Sequence, residues 1–238
     1  MVLLIVGSYA SLVTIYLLYL TIFGRKNQLE SLPDLKTVQQ MGGRASVPRA
    51  ENILPPGHEL KLGQSERYGN IRVTALRVTR GPIVFKHYTG EAGNDRSPSD
   101  PVLKLWLKFE NVSSGQSITP LDTTLMFFNR VVDDRVASYN MIFRAEDRKK
   151  RKAQFYYPFD RMSAESEWTM VGQHTNAALA PGESFETYVP SGENTEGLTG
   201  NLVWRVHFRK GYGPNTGNGV TTLIDILFNS DDIKPESA

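Results

Sequence analysis

Cysteine is absent from the 238 residues. That excludes disulfides, thiolate metal sites, iron–sulfur ligation and any cysteine nucleophile. It does not fix the redox compartment, because a cysteine-free domain is stable in either. A charge excess is also missing: 27 Lys and Arg stand against 25 Asp and Glu, a net charge of +2. A general nucleic-acid binder carries a clear basic excess, so no nucleic-acid partner is expected. Histidine is scarce. His58, His87, His174 and His207 form no H-x-H or H-x-x-x-H pair. A metal site needs several ligands converging at about 2 Å, so no metal or other cofactor is expected. There is no Gly-x-Ser-x-Gly elbow, nothing singles out a nucleophile, and no catalytic residue is assigned. The length allows one domain or two. The 40% hydrophobic and 10% aromatic content is enough for a core.

Charge is missing altogether from Met1 to Phe23, and the first charged side chains are Arg25 and Lys26. About 20 apolar residues in a helix span a hydrocarbon core of roughly 30 Å. A buried helix of a soluble domain keeps a polar face, and this run has none. A cleaved signal peptide has a basic start, a shorter apolar core and a small-x-small end. This run ends Leu20-Thr21-Ile22-Phe23. The expectation is therefore an uncleaved single-pass anchor over 1–23, with the bilayer as its partner. Tyr16 and Tyr19 sit where an aromatic belt belongs. Gly7 and Ser11 form a small-xxx-small pair through which two helices can approach, which leaves the oligomeric state open. Arg25 and Lys26 alone put the rest of the chain in the cytoplasm. Met1 stands almost inside the apolar run, and a basic stretch upstream of it would reverse that inference.

From residue 24 to 59 the composition shifts to Pro33, Pro48, Pro55 and Pro56 with Gly42, Gly43 and Gly57. No period of two or 3.6 persists, so this stretch reads as a flexible linker. As coil it reaches on the order of 30–35 Å. From residue 60 to 230 short alternating runs separated by turn residues predict an all-β domain, an antiparallel β-sandwich. Ile71 to Arg80 opens it, and a run from Pro82 to Tyr88 follows. In Val102 to Glu110 the residues Leu103, Leu105, Leu107 and Phe109 share one face, predicted to be core. Lys104, Trp106, Lys108 and Glu110 share the other, predicted to meet solvent. Runs are also expected at 118–129, 136–143, 154–157, 167–171 and 183–189. Leu202 to Arg209 places Trp204, Val206 and Phe208 opposite Arg205, His207 and Arg209, and His207 is read as a surface residue. Val220 to Phe228 pairs with this strand across a long glycine hairpin loop at 210–219. A phosphate-binding reading of that loop fails, because a strand follows it where a helix N-terminus is needed. Residues 231–238 read as a disordered tail.

Two turn motifs carry a resemblance. Phe109-Glu110-Asn111-Val112-Ser113 ends a strand, and Leu179-Ala180-Pro181-Gly182-Glu183 precedes another. With Leu202–Tyr212 and Gly219–Ile224, they make the chain similar to uncharacterised bacterial single-pass membrane proteins that carry an extracytoplasmic immunoglobulin-like β-sandwich. The resemblance covers roughly residues 60–230. It implies an immunoglobulin-like fold behind one N-terminal transmembrane helix and linker, with the domain outside the cytoplasm. It implies no activity.

The most pointed feature is basic. Arg144, Arg148, Lys149, Lys150, Arg151 and Lys152 are offset only by Glu146 and Asp147, and Phe155, Tyr156, Tyr157 and Phe159 follow. Five consecutive cations repel one another, so the plain reading is one solvated loop. The functional reading is an anionic-surface site formed by these six cations with Tyr156 and Tyr157. Its ligand is a lipid headgroup or wall polymer, and each cation contributes about 1 kcal/mol beside an anionic membrane. From Leu60 on the charges otherwise balance, 22 basic against 21 acidic. Asp133-Asp134 and Asp231-Asp232 are formal candidates for Ca²⁺ or acid–base work, but adjacent carboxylates on a strand point to opposite faces. Asn111-Val112-Ser113 fits the glycosylation pattern, a match common by chance. The expected function is a non-enzymatic, membrane-tethered binding or scaffolding module of the cell envelope, with a protein partner as a further possibility. The alternatives are an envelope hydrolase with a dispersed site and a purely structural subunit of a membrane complex.

Overall fold

The computed structural model describes residues 11–18, 54–91, 96–121, 130–132, 135–137, 140–148, 166–213 and 217–236. Two sheets carry the fold. The first contains β1 (Glu59–Lys61), β8 (Met141–Arg144), β11 (Asn201–Tyr212) and β12 (Gly219–Asn229), in the order β1-β12-β11-β8. The second contains β2 (Ser65–Tyr68), β3 (Ile71–Gly81), β5 (Val102–Asn111), β10 (Ser184–Pro190) and β13 (Ile233–Pro235). Its order is β10-β5-β3-β13, with β2 also on β3. Two ribbons stand apart, β4 (Phe85–His87) with β9 (Trp168–Met170) and β6 (Arg130–Val132) with β7 (Arg135–Ala137).

The alternation in β5, β11 and β12 dictates this arrangement. Leu103, Leu105, Leu107 and Phe109 are wholly buried, as their spacing predicts. On the other sheet, register places Trp204 opposite Ile226, Val206 opposite Ile224 and Phe208 opposite Thr222, so each inward pair includes a β-branched side chain. The two inner faces meet where the Phe109 and Phe208 rings pack edge to face at 5.5 Å. Such a core is what a sandwich needs, since each sheet has only one other apolar face to bury against.

The face of the second sheet away from this core is not left to solvent. The β4–β9 ribbon covers part of it with Ile83, Phe85 and Met170, which pack on Val102, Tyr188 and Trp106. Trp106 lies on the outer face as predicted. Arg77 caps its ring at 4.6 Å, and its indole N–H donates to Thr79 Oγ1 at 2.9 Å. Lys104 departs from the prediction and is buried, because Pro82, the Tyr188 ring and Glu236, one residue past β13, surround its ammonium. Tyr188 donates its hydroxyl to the Val171 carbonyl at 3.1 Å. Burial holds its pKa well above the usual tyrosine value, and the nearby Glu236 carboxylate pushes it the same way.

Three boundaries differ from the sequence reading. β1 and β2 precede Ile71, and both are too short to show a period. The disordered tail is a correction: Ser230–Asp232 is a 3-10 turn closed by a capping box on Asn229, and β13 follows it. Register accounts for this, since β13 gains a parallel ladder on β3 from Val78 to Arg80. The predicted runs at 118–129 and 154–157 lie mostly or wholly outside the described residues. So do most of the anchor and linker. Within the anchor, residues 11–18 are helical, with Leu12, Ile15, Tyr16, Leu17 and Leu18 exposed. Among the described residues no helix is long and apolar enough to cross a membrane.

The two turn motifs turn out to be halves of one contact. The Asn111 side-chain amide donates to the carbonyls of Leu179 (2.8 Å) and Gln116 (2.6 Å), and its Oδ1 accepts from Ser113 N. Its backbone N–H reaches Glu183 O, and its carbonyl receives Gly182 N. Gly182 holds φ at +83°, a conformation that glycine adopts without strain. Asn111 is fully buried, so it is a structural residue rather than a glycan acceptor.

Two outcomes are expected. Asn111→Ala takes one of two donors from each of the Leu179 and Gln116 carbonyls and removes the acceptor of Ser113 N–H; the expected loss is about 1–3 kcal/mol, measured by urea denaturation. Tyr188 holds its proton more tightly folded than unfolded. Its contribution is therefore complete below about pH 10, its unfolded pKa, and is lost as pH rises through the higher folded value. The stability difference between the parent and Tyr188→Phe is constant from pH 7 to 9 and shrinks above 10.

Candidate functional site

The face of the first sheet away from the core holds the charge that the alternation pattern misplaces. Arg205 and His207 were predicted at the surface, and both are buried. For Arg205 the reason is pairing. Register sets Arg205 directly across from Asp225. Arg205 Nε donates to Asp225 Oδ1 at 2.7 Å and Nη2 donates to Oδ2 at 2.8 Å, a fork-on-carboxylate geometry. The guanidinium also lies 5.6 Å from the centre of the Phe143 ring on β8.

A second arginine completes the group. The 3-10 turn Ala145–Asp147 reverses the chain after β8 and returns Arg148 over the sheet. Arg148 Nη2 donates to Asp225 Oδ2 at 2.8 Å, and Nη1 pairs with Glu59 Oε1 at 2.5 Å. The chain Arg205–Asp225–Arg148–Glu59 thus alternates in sign and runs outward. The side chains of Arg205 and Asp225 are each 1% exposed, Arg148 22% and Glu59 44%. Two cations and two anions balance, which is the condition for burying charge at all. The Asp225 backbone is tied as well, since its N–H donates to His58 O at 2.8 Å. His58 is itself buried, with Nδ1 2.7 Å from Leu223 O. Beside the network, an open cleft of about 510 Å³ is floored by Leu202, Leu227 and Phe228 and rimmed by Lys61, Asn201 and Asp232.

Of the predicted anionic-surface residues, the structure places Arg144 and Arg148. Arg144 donates to the Gly197 carbonyl at 2.8 Å. Arg148 is a clamp on the sheet rather than a solvated cation. Lys149, Lys150, Arg151, Lys152, Tyr156 and Tyr157 lie outside the described residues, as do Asp133 and Asp134. Asp232 serves its turn, accepting from Asn229 N at 2.8 Å. His87 stacks against Tyr88 and Trp168, and His174 against Phe185. Among the described residues no three His, Asp or Glu side chains stand close enough to hold a metal.

Sequence reasoning missed Asp225 and Glu59. One signal was present: Asp225 interrupts Ile224-Asp225-Ile226 in mid-strand, and the hairpin register sets a cation opposite it. Glu59 carries no such mark, because β1 joins the sheet by parallel pairing with β12 from far away in sequence.

No family model matches the chain, and no curated protein matches it. Among solved structures, the crystal structure of the yjhA protein from Bacillus subtilis is similar at a TM-score of 0.37 and 11% identity. The match covers 70% of this chain and 99% of that one.

Asp225 is expected to be the costliest single position on this face. Asp225→Ala leaves the Arg205 guanidinium buried without its partner and destabilises by about 3–5 kcal/mol. Replacing both partners, Arg205→Met with Asp225→Leu, recovers most of that loss in thermal melts.

Proposed function

We propose that this chain is a single-pass, membrane-tethered binding or scaffolding module without catalytic activity. Its sandwich is immunoglobulin-like and stands outside the cytoplasm, and its cationic loop meets an anionic surface. The strand order supports the immunoglobulin-like reading: β3-β5-β10 against β8-β11-β12 follows the A-B-E and C-F-G pattern of such sandwiches. The apolar side chains exposed on the helix at 11–18 support the anchor, since lipid is a solvent in which they need no other cover.

The observation that carries the proposal is the Arg148–Glu59 pair. It fixes the root of the basic run beside the first residue of β1, the edge at which the linker joins the sandwich. In sequence Lys149, Lys150, Arg151 and Lys152 follow Arg148 directly. The tether holds the domain near the bilayer, and the cations act on headgroups at high effective concentration. The ion network holds Arg148 at the root of the basic run; in this reading it reacts with nothing.

Two measurements test the reading. The chain has no cysteine, so Ser114→Cys in an exposed turn is one clean reporter for a membrane-impermeant maleimide. Labelling of cells with an intact inner membrane is expected, whereas labelling only after that membrane is opened overturns the orientation. In nanodiscs, the full chain is expected to show slower hydrogen exchange over 145–165 with phosphatidylglycerol than with phosphatidylcholine alone. Changing residues 149–152 to Gln removes the difference, as the loss of about 1 kcal/mol per cation requires. Equal exchange in both lipids overturns the anionic-surface assignment.

A further inference from the structure

Lys104 lies on the outer face of β5 and is only 5% exposed. Its ammonium donates to Pro82 O at 2.8 Å and to Glu236 Oε2, and sits 5.1 Å from the centre of the Tyr188 ring. A buried ammonium needs a counter-ion or it loses its proton. Here the counter-ion comes from neither sheet proper but from the segment that follows β12. That segment runs along β3 with Ile233 opposite Val78 and Pro235 opposite Arg80, and Glu236 N donates to Arg80 O at 2.9 Å.

Gly81 shows that the carboxylate is accommodated by construction. A Cβ there would stand 2.3 Å from Glu236 Oε2 and 2.8 Å from Glu236 Cβ. Its backbone is not in the left-handed region, so the conformation alone does not demand glycine. What the missing side chain provides is room for the acid.

We infer that the edge of β3 from Val78 to Gly81, with Lys104 beneath it, is a docking site for an extended peptide strand. That strand carries a carboxylate one residue past the paired stretch, and residues 233–236 of this chain fill the site in cis. Main-chain bonds along a sheet edge supply affinity, and a side-chain pocket supplies selectivity. The buried lysine is that pocket, and its chemistry selects an acid. The strand now in place is three residues long and parallel, shorter and weaker than the usual sheet member, so an acidic strand from a partner can exchange with it. The site lies on the second sheet and does not depend on the membrane reading.

The test uses the full chain. Acetic anhydride labelling, read by mass spectrometry, is expected to modify Lys104 roughly tenfold faster in Glu236→Gln than in the parent, the loss of one charge-assisted hydrogen bond. Unchanged labelling overturns the inference. In the Ile233→Asp, Glu236→Gln double variant, a fluorescent peptide of the sequence Asp-Asp-Ile-Lys-Pro-Glu-Ser is expected to bind and to protect Lys104 from acetylation. Binding should vanish when Gln replaces Glu in the peptide, or when Lys104→Met is added to the chain. Failure to bind, or binding indifferent to both changes, overturns it. If the double variant unfolds, every lysine labels alike, and the Glu236→Gln rate decides alone.

Discussion

A carboxylate held between two guanidinium groups ties distant parts of this fold together. Asp225 joins β12 to β11 through Arg205, and through Arg148 it joins both to the turn after β8 and to β1. Four separate stretches of chain therefore depend on one buried anion. Its benefit is specificity of arrangement more than net stability, since removing charges from water costs nearly what their pairing returns. An apolar substitute would hold the strands together but would not dictate where the 145–148 turn must land.

The sequence was most legible where burial is periodic. β3, β5, β10, β11 and β12 are long enough for period two to show, and their boundaries fall within a few residues of the expected ones. β1, β2 and β13 are three or four residues long, and parallel pairing or a tertiary hairpin holds them, so no local pattern announces them. The candidate site failed for a related reason. Alternation sorts side chains onto two faces but does not say which face is covered. Arg205, His207 and Lys104 sit on faces that a lone sandwich would wet, and here both outer faces carry further chain.

The motifs that carried a family resemblance are explained by one contact. Asn111 and the Leu179–Glu183 turn are 68 residues apart at their side-chain bond. Together they pin the ends of β5 and β10, which are neighbours in the sheet. An asparagine there satisfies backbone groups on both sides, a task no apolar residue can perform. Such a signature marks a way of closing a sandwich, which is why it speaks to architecture and leaves ligand choice to other residues.

The parallel placement of β1 on β12 has a mechanical consequence. A pull on the chain that leads into β1, against a load at the far end of the sandwich, acts along β1, not across it. The bonds that join Leu60 and its neighbours to β12 then bear the force together, in shear. An antiparallel hairpin loaded at its open end yields one bond at a time. A sandwich loaded in this way gains resistance to tension from this geometry alone, without a longer strand or a larger core.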